Sequence, residues 1–138
     1  MMMTEESLEE LNRNLPAGTE EKASFLNFRP SIIIKGTPEP FAEDMWTFVR
    51  IGNGRGPIFK QSKPCTRCKL TTVSPLKGEF REDGEPLSTL LRLKSSRSFG
   101  DETTNKLVQN QAVLGVQMGL FHEGEPIKQG DPVYAAIL

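Results

Sequence analysis

Short β-branched runs and helical periodicity confined to two places predict a mostly antiparallel β fold or partial barrel with helical decoration, an α+β arrangement. The punctuation between runs is dense: 12 glycines and 10 prolines in 138 residues keep every uninterrupted segment short. That length suits one domain able to bury about two thirds of its unfolded surface, so 1–138 is read as a single unit with a helix at 4–15 and a strand-rich core over 27–138.

Each element has its own signal. Leu8, Leu11 and Leu15 recur on one helical face, Ser7 and Glu10 have capping-box spacing, and Pro16 with Gly18 ends the helix. "SIIIK" (31–35) is a short buried strand. "DMWTFVRIG" (44–52) and "PIFKQS" (57–62) are strands joined by the turn "GNGRG", whose alternating glycines precede no helix and so fail the dinucleotide fingerprint. "KLTTVSP" (69–75) reads as a fourth strand from its β-branched residues. "PLSTLLRLKSS" (86–96) begins with Pro86 as first helical residue and repeats Leu87, Leu90 and Leu91. Strands at 110–121 and 130–138 complete the chain. Trp46 and Phe48 are expected in packing, Glu43 and Asp44 in solvent, and His122 in a loop rather than as a general acid.

Composition sets bounds on function. Apolar residues make up 36% and charged residues 25%, as in an ordinary globular protein. No run approaches the ~20 apolar residues of a membrane span, and "MMMTEESLEE" carries neither a signal-peptide core nor an arginine-rich leader. A soluble, intracellular protein of unspecified compartment is expected. The net charge of −1 conceals an uneven distribution. Eight cations (Arg29, Lys35, Arg50, Arg55, Lys60, Lys63, Arg67, Lys69) face only three carboxylates between residues 29 and 69. A basic middle favours an anionic ligand, though solvated strand faces would look the same.

Both cysteines, Cys65 and Cys68, lie in that basic stretch, in "KPCTRCKLTT" (63–72). Structural zinc needs four Cys or His ligands, and Cys65, Cys68 and the single His122 cannot complete a site within one subunit. A redox dithiol belongs where a strand gives way to a helix, whereas "KLTTV" reads as strand. Two inert buried thiols remain an alternative. Lys63, Arg67 and Lys69 favour thiolate, the form that binds soft metals such as molybdenum, zinc or copper.

"NFRPSIIIKG" (27–36), "PFAEDMWTFVRIG" (40–52), "KPCTRCKLTTVSPLKGE" (63–79), "EPLSTLLRLK" (85–94) and "GDPVY" (130–134), in that order, resemble the MOSC domain. The likeness is greatest to the C-terminal part of the mitochondrial amidoxime-reducing component and its bacterial relatives, and "ESLEELNRNL" (6–15) resembles the helix that precedes the segment there. The resemblance implies a MOSC-type β-barrel, incomplete at its N-terminal side, that binds molybdenum cofactor (Mo-molybdopterin). It implies Cys68 as the metal-ligating thiolate and catalytic residue, with Cys65 the fallback ligand. Thr66 and Arg67 would lie beside metal and cofactor, and Arg29 would meet the cofactor's anionic end through its planar fork of donors.

The implied chemistry is reduction of small N-hydroxylated substrates, with a b-type cytochrome and a flavoprotein reductase as electron donors. Mitochondrial association is implied by resemblance alone. Nucleic acid is not an expected partner. The same domain ends molybdenum cofactor sulfurases, but no desulfurase is present, so covalently bound pyridoxal phosphate is not expected.

Three departures from the family pattern bear on this expectation. Ser31 stands where the motif usually has asparagine, and Gln117 in "LGVQM" where the reductases often carry an aromatic residue; both are candidate cofactor-facing positions, with Gln117 alternatively a plain strand residue. The reductases also carry an N-terminal barrel domain and opening strands before the helix found here. The chain is therefore expected to be a truncated isoform, a fragment or a remnant. It would be a molybdenum-dependent oxidoreductase if a longer context supplies the rest. The alternatives are a non-catalytic cofactor or sulfur carrier, or a remnant without bound cofactor.

Overall fold

A computed structural model describes residues 1–95, 102, 103, 106 and 111–138. Six strands, β1 (Met2–Thr4), β2 (Ile32–Ile34), β3 (Phe48–Ile51), β4 (Ile58–Arg67), β5 (Ala112–His122) and β6 (Val133–Ala136), form one sheet in the order β2-β1-β5-β4-β3-β6. Only β1 and β2 run parallel; every other pairing is antiparallel. The sheet curls into a half-barrel, the incomplete barrel expected from the sequence. Three register shifts along β4 and β5 supply the curvature, because each bulge bends its strand and increases the local twist.

The bulge at Leu114–Gly115 organises the interior. Pro64 pairs with Val116 and Thr66 with Val113, so Cys65 alone opposes two residues of β5. The extra residue reverses which side of the sheet the following side chains face. Ala112 and Leu114 accordingly pack with Met3, Leu8, Leu11, Phe28 and Leu90 beneath the helices. Val116, beyond the bulge, packs with Met2, Ile34, Trp46, Val49 and Ile51 on the other face. Leu11, Leu90 and Leu114 are fully buried, each worth about 1.5–3 kcal/mol of transfer free energy. Gly115 itself has φ +73°, and a Cβ there would come 2.6 Å from the Met2 carbonyl oxygen.

Helix α1 (Glu5–Arg13) and helix α3 (Leu87–Leu93) cover the first core, and a single turn, α2 (Phe25–Phe28), leads to β2. Thr4, not Ser7, caps α1, its Oγ1 accepting the Ser7 amide at 3.2 Å. Strand β1 had no counterpart in the sequence reading. Neither did α2, although Ser24 and Asn27 form its capping box. The strand expected over 44–52 is shortened by a 3-10 turn, Ala42–Met45. The expected strand at 69–75 is replaced by another, Lys69–Thr72, in which Thr71 Oγ1 donates to the Cys68 carbonyl at 2.9 Å and Thr72 Oγ1 to that of Lys69 at 2.8 Å. These side-chain bonds fold the segment back locally and override the β-branched preference for extended chain. Residues 96 and 110, the outer limits of the expected second helix and fifth strand, lie outside the described residues.

Glu43 and Asp44 correct the expectation of solvated carboxylates. Glu43 is fully buried and accepts from Thr4 Oγ1 at 2.9 Å and Ser7 Oγ at 2.8 Å. Asp44 contacts the buried Lys94 ammonium, which also lies 4.5 Å from the Phe41 ring centre. Burial pushes the Lys94 pKa down to about 8, opposed by the neighbouring charge of Glu43. Buried charges persist only when paired or hydrogen-bonded in this way.

Candidate functional site

The two cysteine-motif termini have opposite environments. Cys65 is buried in β4 opposite the bulge; Cys68 is exposed just beyond the strand and caps the 3-10 turn. Arg67, Cys68 and the strand before them are extended, which separates the two Cα atoms by about 10 Å. A disulfide needs about 4.4–6.8 Å. The strand end would have to be remade before the thiols could join, or turn together onto one ion. Lys69–Thr72 is a 3-10 turn rather than the expected strand, and the extended end of β4 is what keeps the two thiols from acting as a dithiol.

Arg67 is the bracket of the site. Its Nε donates to the Leu114 carbonyl at 2.9 Å, Nη2 contacts the same oxygen, Nη1 donates to the Phe28 carbonyl at 3.1 Å, and Nη2 also lies 3.3 Å from Met1 Sδ. The guanidinium sits 5.3 Å from the Phe28 ring centre. The bulge turns the Leu114 carbonyl toward the guanidinium, and a planar fork suits a carbonyl approached by two N–H groups. Burial lowers the Arg67 pKa, while Cys65 and Cys68 raise it. The arginine expected beside a cofactor thus directs most of its five donors at backbone, and its charge remains beside both sulfurs.

Asn27 supplies the second bracket. It is buried, and Nδ2 donates to the carbonyls of Thr71 (3.0 Å) and Val73 (3.2 Å), while Oδ1 accepts the Ser24 amide at 2.9 Å. Together Asn27 and Arg67 bolt the "NFR" segment to the "CTRCKLTTV" segment. Asn27 is not among the site residues expected from the sequence, although its place three residues after Ser24 is a capping signal. Arg29 follows in a left-handed conformation, φ 53°, with an exposed side chain. It borders an open groove of about 470 Å³ with Leu26, Leu70, Val73 and Pro75.

The other candidates are distributed around this frame. Gln117 Nε2 lies 3.9 Å from Cys65 Sγ, so the glutamine reaches the buried thiol. Thr66 is half-buried in register with Val113. Ser31 is exposed; its amide donates to the Met1 carbonyl at 2.9 Å, and its hydroxyl lies 3.5 Å from the Met1 amino group. Among the described residues no group of three or more His, Cys, Asp or Glu could hold a metal ion.

Comparison with known proteins adds ancestry to this geometry. The pattern of the MOSC domain family matches residues 1–134. The chain is 39% identical over 134 residues to mitochondrial amidoxime-reducing component 1 of Xenopus laevis, covering 97% of this chain and 35% of that protein. The human protein of the same name is also 39% identical, with 97% and 36% covered. Molybdenum cofactor sulfurase of Arabidopsis thaliana is 36% identical over 109 residues, with 72% of this chain and 13% of that protein covered. The chain therefore spans about a third of the length of the amidoxime-reducing relatives it matches.

Proposed function

Because the chain belongs to the MOSC domain family, we propose that it is a molybdenum-cofactor-binding domain of the amidoxime-reducing type, with the Cys68 thiolate as metal ligand. The exposed Cys68, beside the Arg67 charge and, among the described residues, outside any group of three or more His, Cys, Asp or Glu, carries this reading. One thiolate cannot hold a metal alone, so the metal must arrive with donors of its own, as it does in a pterin dithiolene. That cofactor would supply two-electron chemistry coupled to oxygen transfer, which side chains cannot provide.

The chain's own residues would bind and orient. Arg29, exposed at the end of α2, offers its guanidinium to an anionic phosphate. Ser31 and Thr66 offer hydroxyls on either side of the joined motifs. Arg67 holds the backbone that presents Cys68 and keeps a cation beside its sulfur. Gln117 orients or shields Cys65, which acts as a buried neighbour and as ligand only by default. Reduction of small N-hydroxylated compounds, electron supply by a b-type cytochrome and its flavoprotein reductase, and mitochondrial association all belong to this proposal, as does the reading of 1–138 as one domain. Among the described residues no helix is long and apolar enough to cross a membrane.

The test is molybdenum and pterin content of the chain purified from a host that makes the cofactor. Near-stoichiometric amounts, lost in Cys68→Ala and largely kept in Cys65→Ala, are expected. Equal loss from both variants would overturn the division of roles. Protein with neither molybdenum nor pterin would overturn binding by this chain alone.

A further inference from the structure

No Asp or Glu occurs in any of the six strands, which carry Arg50, Lys60, Lys63, Arg67 and His122. Cross-strand register gathers part of this charge on one face. Phe48 pairs with Lys60 and with Ala136, and Arg50 with Ile58 and Tyr134, so these side chains share a side of the sheet. The intervening Val49 and Ile51 point the other way into the core. On the outer side, Lys60 Nζ lies 5.8 Å from the Phe48 ring centre and the Arg50 guanidinium 4.7 Å from that of Tyr134. Phe121 stacks edge-on against Phe48 at 5.1 Å while remaining 62% exposed, and Tyr134 is 49% exposed. Helices α1 and α3 pack at the Met3, Ala112 and Leu114 end of the sheet instead.

From this we infer that the outer face of β3, β4 and β6, with the Phe121 end of β5, is a docking surface for an acidic protein segment in which carboxylates alternate with apolar side chains. Charge complementarity selects the partner: the face offers cations and aromatic rings, and none of its strands contributes a carboxylate. Arg50, whose guanidinium lies over the half-exposed Tyr134 ring, offers a planar donor group with which an arriving carboxylate would pair. Tyrosine, phenylalanine and arginine are also the residue types enriched at the desolvated centres of protein interfaces. Single-stranded nucleic acid is the less suitable occupant. Base stacking needs bare ring faces, and here Phe48 and Tyr134 each already carry a cation over one face.

The proposal stands apart from cofactor binding at Cys68, and its test needs no cofactor. Fluorescence anisotropy would follow a labelled peptide of alternating glutamate and phenylalanine binding to the full chain, beside its glutamine counterpart and a labelled oligothymidylate. The glutamate peptide should bind in a salt-dependent manner and the glutamine peptide should not. Lys60→Glu and Phe121→Ser, both at exposed positions, should each weaken binding by about tenfold or more. Lys77→Glu, an exposed cation elsewhere, should leave it unchanged. Equal weakening by all three variants, or no weakening by the first two, would overturn the surface. Oligothymidylate binding that depends on Lys60 and Phe121 and exceeds that of the peptide would overturn the partner class.

Discussion

Gly115 and Arg67 work as a pair. The glycine adopts a backbone conformation that L side chains avoid, in contact with the Met2 carbonyl, and the bulge it creates brings the Leu114 carbonyl to Arg67. Gly115→Ala should therefore cost about 2 kcal/mol or more, read as a lower urea midpoint; an unchanged midpoint would mean that the bulge is not strained. Lys94 makes a different prediction. Its folded pKa of about 8 lies below the ordinary lysine value, so between the two the unfolded chain binds more protons and stability should rise with pH. A fall over that range would show that attraction to Asp44 and Glu43 outweighs the cost of burial. Lys94→Met should flatten the dependence and, at neutral pH, cost about 3–5 kcal/mol by leaving carboxylates buried without their cation. The sequence displayed both cysteines and their basic surroundings, because these are written in one local stretch. It did not display Gly115, Asn27 or the burial of Glu43, because each acts across distant segments: Glu43 bonds Thr4, 39 residues away, and Asn27 bonds Thr71, 44 residues away.

Between single residues and the whole sheet, the decisive element is the 3-10 turn Lys69–Thr72. Two threonines that favour strand by propensity instead bond back to carbonyls within three residues, and Asn27 fixes the result from outside. Asn27→Leu removes both donors and leaves the carbonyls of Thr71 and Val73 underpaired, at a cost of about 1–3 kcal/mol. Because the bond holds one turn, hydrogen exchange at the Thr71 and Val73 amides should accelerate more than exchange in β5. Uniform acceleration would instead make Asn27 a part of global stability. The longer strands were legible because alternation and glycine boundaries are local signals. Strand β1 was not, since three methionine-rich positions acquire their extended form only by pairing with Ile32–Ile34 and Val116 far along the chain.

At the scale of the molecule, the half-barrel formed by the described residues ends in two strands, β2 and β6, each with one side unpaired by the sheet. Residues of both, among them Ile33, Ile34, Val133 and Ala135, line a cleft of about 700 Å³ between them. Edge strands recruit other strands unless charge, proline or a covering element protects them. Here β2 is three isoleucines, with Ile33 half exposed. The chain should accordingly self-associate as its concentration rises, and sedimentation velocity would detect it. Ile33→Lys places a charge on that edge while sparing Ile34, which packs in the core, so it should return the protein to monomer without a large loss of stability. If Ile33→Lys and the parent chain associate alike, the contact lies elsewhere, and the exposed aromatic face formed by β3, β4, β6 and the Phe121 end of β5 becomes the surface to change next. If neither associates, residues 35–38 and 129–132, which flank the same cleft, already shield the edges well enough for the half-barrel to persist alone.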